Sequence, residues 1–400
     1  MSAAAGMRLD AAALLPEDAE IATMVGRAWL PGRMGGPSPV AVLGGRVYDL
    51  SRVTPTLSRL LNCRHPARLV RTTVNSRWAR PVGDIDAVLH NSHADRRNAR
   101  EAYLLAPCDL QALRACGVTF VSSMLERVIE EHAKGDATRA ENIRAAIGEE
   151  IGASIRSVKP GSPEAAKLKD SLIKRGLWSQ YLEVGIGPDA EVFNKAQPLS
   201  AVGLGAEIGI RADSSWNNPE PEVVLAINRA GQVVGATLGN DVNLRDFEGR
   251  SALLLGKGKD NNASCAIGPL VRLFDDGYGV DDMRATRIDV EVRGEEGYRL
   301  EGHSDLRQIS RDPLDLVAQA VNRSHQFPDG MMLFLGTQFA PTQDRDAPGK
   351  GFTHKLGDVV VIRARQLGAL VNRVNHCDRI PPWTYGLHDL MSNLAQRGLL

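Results

Sequence analysis

The sequence predicts a β-rich α+β protein in which a small N-terminal module precedes a larger second domain. Its 400 residues, 43% of them hydrophobic, exceed the length of one ordinary domain and can bury a sizeable core. Helical periodicity is concentrated in residues 120–178, whereas short apolar runs typical of strands dominate after residue 200. We therefore expect a small β-containing domain over residues 1–106 and a second domain over residues 107–400.

The N-terminal module is predicted from a pair of short strands. Residues 28–51 alternate apolar stretches with glycine, and the Gly44–Gly45 pair suits a tight turn between two strands. Residues 64–109 then become basic and polar and pass through Ala106–Pro107, a composition typical of a linker. This linker marks the expected domain boundary.

Helices are expected in four places. Met124, Val128 and Ile129 form one apolar stripe in the helical region. The run 162–164 (Ser-Pro-Glu) supplies an N-cap oxygen, a proline in the first turn and an early carboxylate, and Gly176 follows the last turn. Further helical patterns occupy residues 313–321 and 387–400. Strand-like runs in the second domain cover residues 223–227, 233–238, 288–292, 331–335 and 359–362.

The charge balance and the cysteine content argue against several classes of partner. Lys and Arg number 48 and Asp and Glu number 48, so no basic field is available for nucleic acid or for an anionic membrane. No apolar run approaches the roughly 18 residues of a membrane-spanning helix, and no signal peptide is recognisable. The five cysteines are scattered, as in a reduced compartment. We expect a soluble cytoplasmic protein with a small-molecule partner.

A pair of glutamates gives the first indication of chemistry. Glu220 and Glu222 are two residues apart in a strand-like run, so they project from the same face. A two-residue turn at Ala230–Gly231 would pair residue 229 with 232, and therefore Glu220 with Asp241, about 5 Å apart across the hairpin. Three carboxylates would then converge on one patch.

Three acids in one patch need a counter-charge, because like charges directly opposite one another destabilise a sheet. All-oxygen ligation favours Mg²⁺ or Mn²⁺, and three protein ligands leave coordination positions open for substrate and water. The alternative is a solvated acidic strand edge that discourages aggregation. The predicted pairing of Glu220 with Asp241 favours the metal site, and the solvated strand edge remains the alternative.

Several motifs around these acids resemble the fumarylacetoacetate hydrolase superfamily. The segments lie in the family's order and spacing between about residues 110 and 375, and they are 220–222, 239–246, 258–269, 336–337 and 352–358. The resemblance implies a mixed β-roll catalytic domain with flanking helices, a divalent metal, and assembly into a homodimer or homotetramer. Within the superfamily, residues 177–184, 216–225, 240–251 and 259–265 look most like the sugar-acid dehydratases.

The resemblance also implies roles for individual residues. Glu220, Glu222 and Asp241 would hold the metal, with Lys259 beside the substrate and Thr337 at its carboxylate. The remaining substrate-binding candidates are Gly336, Phe193, Lys195, Ser123 and Arg245, the last as a residue that steadies a ligand carboxylate. One departure is informative: Ser123 stands where the superfamily's hydrolases carry a water-activating histidine, which favours an elimination enzyme over a hydrolase.

The expected reaction is the dehydration of a 2-keto-3-deoxypentonate, with 2-keto-3-deoxy-D-xylonate the best candidate, to 2,5-dioxopentanoate and water. A metal-bound keto group would acidify the C3 hydrogens. Lys259 would either remove a C3 proton or stay protonated and stabilise the enolate, and Glu126 is the expected proton donor to the leaving C4 hydroxyl. The alternatives are a carbon–carbon hydrolase or decarboxylase of the same superfamily, or a silent ligand-binding protein.

Overall fold

The structure, a computed structural model, describes residues 7–140, 143 and 154–400. Part of the helical region expected between residues 120 and 178 therefore lies outside the described residues. Every strand-like run predicted in the second domain is a strand. The strands are β1 (Met24–Leu30), β2 (Gly36–Leu43), β3 (Arg46–Asp49), β4 (Arg80–Asp84), β5 (Tyr103–Leu105), β6 (Ala112–Gly117), β7 (Glu191–Ala196), β8 (Glu207–Ile210), β9 (Asn217–Asn218), β10 (Pro221–Ile227), β11 (Val233–Asp241), β12 (Asn243–Leu244), β13 (Cys265–Leu273), β14 (Arg287–Arg293), β15 (Arg299–Asp305), β16 (Met331–Phe334), β17 (Val359–Ala364) and β18 (Gly368–His376).

The strands form a large mixed sheet, a second sheet and a short ribbon. The large sheet has 11 strands in the order β4-β3-β2-β1-β13-β11-β10-β16-β6-β7, with β5 paired to β1. The second sheet has the order β15-β14-β17-β18-β8, and β12 pairs with β9 in the ribbon. Leu225 and Leu238 from the large sheet share one apolar core with Val290 and Leu370 from the second. The two sheets therefore pack face to face, and this buries β10 and β11.

The N-terminal strands extend the same large sheet. The predicted turn is present, since Gly44 and Gly45 have φ of +54° and +72° between β2 and β3. Strand β1 pairs with β13 at Met24–Arg272, and this pairing joins residues 24–84 to the strands of the second domain. The division at residues 106 and 107 thus stays a prediction about folding units.

The helices lie around the sheets. Ser162 caps the helix expected there, because its hydroxyl accepts a hydrogen bond from the Ala165 N–H at 3.1 Å, and Met124, Val128 and Ile129 are buried as predicted. The helices are α1 (Ala11–Leu14), α2 (Leu57–Leu61), α3 (Pro66–Val74), α4 (Ile85–Asn91), α5 (Val121–Ala133), α6 (Pro163–Lys174), α7 (Gln180–Ile186), α8 (Arg245–Glu248), α9 (Leu255–Lys259), α10 (Val280–Arg284), α11 (Pro313–Ala320) and α12 (Leu387–Gln396). Within the described ranges, each helix is too short or too polar to cross a bilayer.

The central hairpin has the predicted register where it matters for the site. Pro221 pairs with Asn240, and the Asp241 N–H donates a hydrogen bond to the Glu220 carbonyl oxygen at 3.0 Å. Residues 220 and 241 are therefore neighbours across the hairpin, as expected. All residues of β10 are buried, so the site sits in the interior of the molecule.

The predicted two-residue turn is wrong. The hairpin closes between Asn228 and Gln232, whose N–H···O distance is 2.9 Å, so the turn is one residue longer than expected. A bulge at Val234 then adds one residue to β11 between its pairs with Ile227 and Ala226, which restores the alignment. The turn and the bulge compensate each other, and this is why the register argument succeeds.

Candidate metal and active site

Three carboxylates converge at the end of the central hairpin. Glu220 and Glu222 lie on either side of Pro221, and Asp241 ends the partner strand. All three are buried, and each offers one carboxylate oxygen within 4.8 Å of the other two. The predicted acidic triad is therefore formed, and it lines a cavity. A solvated strand edge, the alternative reading of these acids, does not describe it.

The two oxygens of Glu220 have different partners. Its Oε1 accepts hydrogen bonds from Arg127 Nη2 and from Asn243 Nδ2, each at 2.9 Å. Its Oε2 accepts one from Lys259 Nζ at 2.5 Å. The side chain is thus held from one side by a helix and from the other by the cavity lysine.

Glu222 is held by a backbone N–H of the neighbouring strand end. Gly336 donates its N–H to Glu222 Oε2 at 2.6 Å, and a Cβ at Gly336, where φ is +87°, would lie 2.0 Å from Thr119 Oγ1. The expectation that this N–H binds a substrate carboxylate is corrected, since Glu222 already accepts it. Burial, together with the charges of Asp241 and Glu220, raises the pKa of Glu222 well above its usual value.

Asp241 lies between two lysines. Lys195 Nζ is 2.8 Å from Oδ1, and Lys259 Nζ is 3.1 Å from Oδ2. Burial raises the pKa of Asp241, but Lys195 and Lys259 outweigh it and hold the pKa below the usual value. Lys195 is 0% exposed, does not line the cavity, and also donates to the Lys259 carbonyl oxygen. Its expected contact with substrate is corrected, because Lys195 supports Asp241 from behind.

Lys259 lies in the cavity as predicted. Its Nζ contacts Glu220 and Asp241 and lies 5.8 Å from the centre of the Phe193 ring, another cavity-lining residue. Burial lowers the pKa of Lys259, but Asp241 and Glu220 more than offset it, so the pKa lies above its usual value. Of the two roles left open for this lysine, the geometry favours the protonated one.

Ser123 and Thr337 also line the cavity. The Ser123 hydroxyl donates to the Phe120 carbonyl oxygen at 2.8 Å and accepts from the Phe120 N–H at 3.3 Å, so it caps helix α5. Thr337 Oγ1 accepts a hydrogen bond from the Phe339 N–H at 3.1 Å, which leaves the hydroxyl proton available to a ligand.

Glu126 and Arg245, on and near helix α5, do not line the cavity. The expected proton-donor position of Glu126 is therefore corrected, and the carboxylates that Arg245 steadies are Glu126 and Glu130, not the triad. Arg245 Nη2 donates to Glu126 Oε2 at 3.0 Å, Arg245 Nε donates to Glu130 Oε1 at 2.6 Å, and the guanidinium lies 4.4 Å from the centre of the Trp216 ring. Residues spaced by four share a helix face, so Glu126 and Glu130 bind the same arginine.

The cavity contains charged residues that the sequence did not single out. Arg127, Glu191 and Glu248 line it together with Tyr181. Glu248 is buried, pairs with Arg127, and lies 3.6 Å from Lys259 Nζ. Burial raises the pKa of Glu248 to about 7 despite those cations, and burial also raises the pKa of Glu191. Glu248 lies inside the segment that resembles the superfamily, seven residues after Asp241, and this was the available signal.

The charges of the site suit a divalent cation. Five carboxylates surround the cavity, against three cations that contact them, which leaves an excess of two negative charges when all are ionised. The carboxylates are Glu191, Glu220, Glu222, Asp241 and Glu248, and the cations are Arg127, Lys195 and Lys259. The donor atoms of the triad are all oxygens, the type that Mg²⁺ and Mn²⁺ prefer. The residues present therefore fit such an ion.

Comparison with known proteins supports the resemblance. Residues 183–375 match the family model described as fumarylacetoacetate (FAA) hydrolase C-terminal. A probable 2-keto-3-deoxyxylonate dehydratase of Haloferax volcanii is 26% identical over 327 residues, which cover 82% of this chain and 91% of that protein. A 2-dehydro-3-deoxy-D-arabinonate dehydratase of Saccharolobus solfataricus is 31% identical over 184 residues, 46% of this chain and 58% of that protein.

Solved structures share the fold. A 2-keto-3-deoxy-D-arabinonate dehydratase complexed with magnesium and 2,5-dioxopentanoate has a TM-score of 0.59 at 19% identity, and the match covers 88% of this chain and 99% of that one. A hexagonal crystal form of 2-keto-3-deoxyarabinonate dehydratase has a TM-score of 0.58 at 20% identity, with 88% and 98% covered. The expected mixed-sheet fold with flanking helices is thereby confirmed.

Proposed function

We propose, because residues 183–375 match the family model described as fumarylacetoacetate (FAA) hydrolase C-terminal, that the chain is a divalent-metal-dependent hydro-lyase that converts a 2-keto-3-deoxypentonate to 2,5-dioxopentanoate and water. The observation that carries the proposal is the buried triad of Glu220, Glu222 and Asp241 in one cavity with Lys259. The names of both curated relatives describe dehydratases of this substrate class, and one solved relative is complexed with magnesium and 2,5-dioxopentanoate.

The reaction requires one proton to leave and one to arrive. A C3 hydrogen leaves as a proton, the C4–oxygen bond breaks, and the C4 hydroxyl departs as water once it is protonated. The unsaturated keto acid then isomerises through a dienol: C5 and its hydroxyl each lose a proton, C3 and C4 each gain one, and C5 becomes an aldehyde as the C3–C4 double bond is reduced. A divalent cation held by the triad supplies polarisation of the keto group, which acidifies the C3 hydrogens.

The side chains of the cavity can divide this work. Lys259, held as a cation beside Glu220, places a positive charge where the enolate develops. Glu191 and Glu248 both line the cavity with a raised pKa, so one can accept the C3 proton and the other can hold the proton for the hydroxyl. The Thr337 hydroxyl is available to the substrate carboxylate. Phe193 contributes an aromatic ring to the cavity lining.

The substrate's stereochemistry depends on one carbon, C4. In a 2-keto-3-deoxypentonate, C2 is a ketone and C3 is a methylene, so neither is a stereocentre. The acids derived from D-xylonate and D-arabinonate share the configuration at C4 and are therefore the same compound. We propose this D acid, 2-keto-3-deoxy-D-xylonate, as the substrate, and its L enantiomer is the relevant competitor.

The test is a product analysis with both enantiomers of the substrate. The protein and Mg²⁺ are incubated with each enantiomer, and the product is identified by mass spectrometry and by trapping of the aldehyde. A five-carbon aldehyde that has lost one water, formed faster from the D acid and abolished by EDTA, is the expected result. Release of carbon dioxide or of a shorter acid would instead indicate a decarboxylase or a hydrolase. Metal and substrate binding without turnover would indicate a silent binding protein.

A further inference from the structure

Arg127 joins three carboxylates that come from three different elements. Its Nη1 donates to Glu130 Oε2 at 2.7 Å, within its own helix α5, and also pairs with Glu248 on helix α8. Its Nη2 donates to Glu220 Oε1 at 2.9 Å, at the start of the central hairpin. The Arg127 side chain is only 13% exposed, so water screens these pairs weakly.

The contacts of Arg127 determine which oxygen of Glu220 faces the triad. Arg127 and Asn243 both bind Oε1, whereas Oε2 points toward Lys259, which also contacts Asp241. Without the guanidinium, the Glu220 carboxylate could rotate about its terminal torsion, which is soft. Arg127, together with Asn243, therefore restricts Glu220 to one orientation.

The same contacts argue against a substrate-binding role for Arg127, although it lines the cavity. Both terminal nitrogens already donate to carboxylates of the protein. Glu130 in turn is bound by Arg245, so the guanidinium sits in a connected network and not at an open anion site. A substrate carboxylate would have to displace Glu220 or Glu248 to reach it.

We propose that Arg127 is a positioning residue of the metal site, which holds Glu220 so that a single oxygen, Oε2, faces the cation. This inference rests on the divalent cation of the proposed function. It concerns a residue that directly follows Glu126 in the sequence and, unlike Glu126, lines the cavity.

The proposal can be tested because a positioning role and simple charge repulsion predict opposite changes in cation affinity when Arg127 is replaced. Removing a buried positive charge near a cation site should tighten cation binding if Coulomb repulsion dominates. Removing a group that orients a ligand should weaken binding, by about 10- to 100-fold for partners of metal ligands in other proteins. Mn²⁺ affinity of the substrate-free protein therefore separates the two without any measurement of turnover.

The experiment titrates Mn²⁺ by electron paramagnetic resonance into wild type, Arg127→Met and Arg127→Lys. We expect both variants to bind Mn²⁺ about 10- to 100-fold more weakly than wild type. Lysine keeps the charge but lacks the planar fork that reaches several carboxylates at once, so Arg127→Lys isolates the effect of geometry. It also provides the answer if Arg127→Met does not fold.

The matched control is Arg272→Lys, which alters a buried arginine that binds Asp18 and none of the cavity carboxylates. Its Mn²⁺ affinity should equal that of wild type, and melting curves of metal-free protein show whether each variant is folded. Unchanged or tighter Mn²⁺ binding in a folded Arg127 variant overturns the proposal. Failure of wild type itself to bind Mn²⁺ overturns the metal site, and the proposed function with it.

Discussion

Two hairpins of this molecule carry the same arrangement of acids and use it differently. In the central hairpin, Glu220 and Glu222 are two residues apart and Asp241 comes from the partner strand. In the outer hairpin β14–β15, Asp289 and Glu291 are likewise two apart, and Glu301 pairs directly with Glu291. The sequence pattern is nearly identical, so the pattern alone does not identify a metal site.

The difference lies in what surrounds the carboxylates. Asp289 and Glu301 have side chains 65% and 66% exposed, and Glu291 is bound by Arg293 and Arg299 at 2.5 and 2.8 Å. The hydrogen bond from Arg293 lowers the pKa of Glu291, whereas burial raises the pKa of Glu222. The outer acids are neutralised by arginines and water, whereas the carboxylates around the inner cavity outnumber the cations that contact them.

The largest expected effect comes from Glu222→Gln. This change removes a ligand charge but keeps the shape, so Mn²⁺ affinity and Mg²⁺-dependent turnover should both fall by more than about 100-fold, beyond the loss seen for groups that only support ligands. The metal-free protein should be at least as stable, because a buried carboxylate with a raised pKa is replaced by a neutral amide. Isothermal titration with Mn²⁺ checks the loss of affinity, and thermal melting of the metal-free protein checks its stability. Retained Mn²⁺ binding would contradict the role of Glu222 as a metal ligand.

The comparison also shows how far the sequence can lead. The strand period and the hairpin register sufficed to bring Glu220, Glu222 and Asp241 together, because both are local properties of one β-hairpin. The error in the turn was harmless only because the bulge at Val234 offset it. The compensation depends on how the strands pack, which no local pattern encodes.

Residues from other elements were predicted less well. Glu126 and Arg127 are adjacent on helix α5. Which of the two lines the cavity depends on how the helix is rotated about its axis relative to the sheet. That rotation follows from the pairing of Arg245 with Glu126 and Glu130, a tertiary contact. Lys195 was misplaced for a similar reason, since a strand residue beside a ligand can face either the cavity or the interior.

A second prediction separates binding from chemistry within the central hairpin. Lys259→Met removes the cation that contacts Glu220 and Asp241. Turnover should fall by about 10²- to 10⁴-fold, the usual contribution of a positioned proton-transfer or charge-stabilising group. Mn²⁺ binding should be retained or strengthened, because a competing positive charge is gone. Full activity in this variant would remove Lys259 from the mechanism.

A third prediction concerns a buried acid that has its own counter-charge. Asp358 accepts hydrogen bonds from both terminal nitrogens of Arg345, at 2.6 and 2.7 Å, and lies 3.0 Å from His354 Nδ1. Burial raises the pKa of Asp358, but Arg345 and His354 outweigh it and lower the pKa to about 2. Asp358→Asn should therefore destabilise the fold by about 3 kcal/mol, because the buried Arg345 loses its buried carboxylate partner and keeps only the half-exposed Glu296 as a counter-charge.

The sign of the pH dependence follows from the same pKa. A folded-state pKa below the unfolded value near 3.8 means that the ion pair stabilises the protein above pH 3.8 and loses this contribution as the pH falls toward 2. The difference in unfolding free energy between wild type and Asp358→Asn, measured in urea, should shrink over that interval. A difference that stays constant down to pH 2 would show that the carboxylate charge is unimportant.

The smallest effect is expected for variants of the outer hairpin. These variants test whether the metal site depends on the burial of the acids or only on their spacing in the sequence. Glu291→Gln and Glu301→Gln repeat the Glu222→Gln change in the same local motif. Ion pairs with exposed partners contribute about 0 to 1 kcal/mol, so each variant should melt within a few degrees of wild type. Turnover and Mn²⁺ affinity should be unchanged, since neither residue lines the cavity. A loss of Mn²⁺ binding in either variant would mean that the pattern of acids, and not their burial, selects the cation.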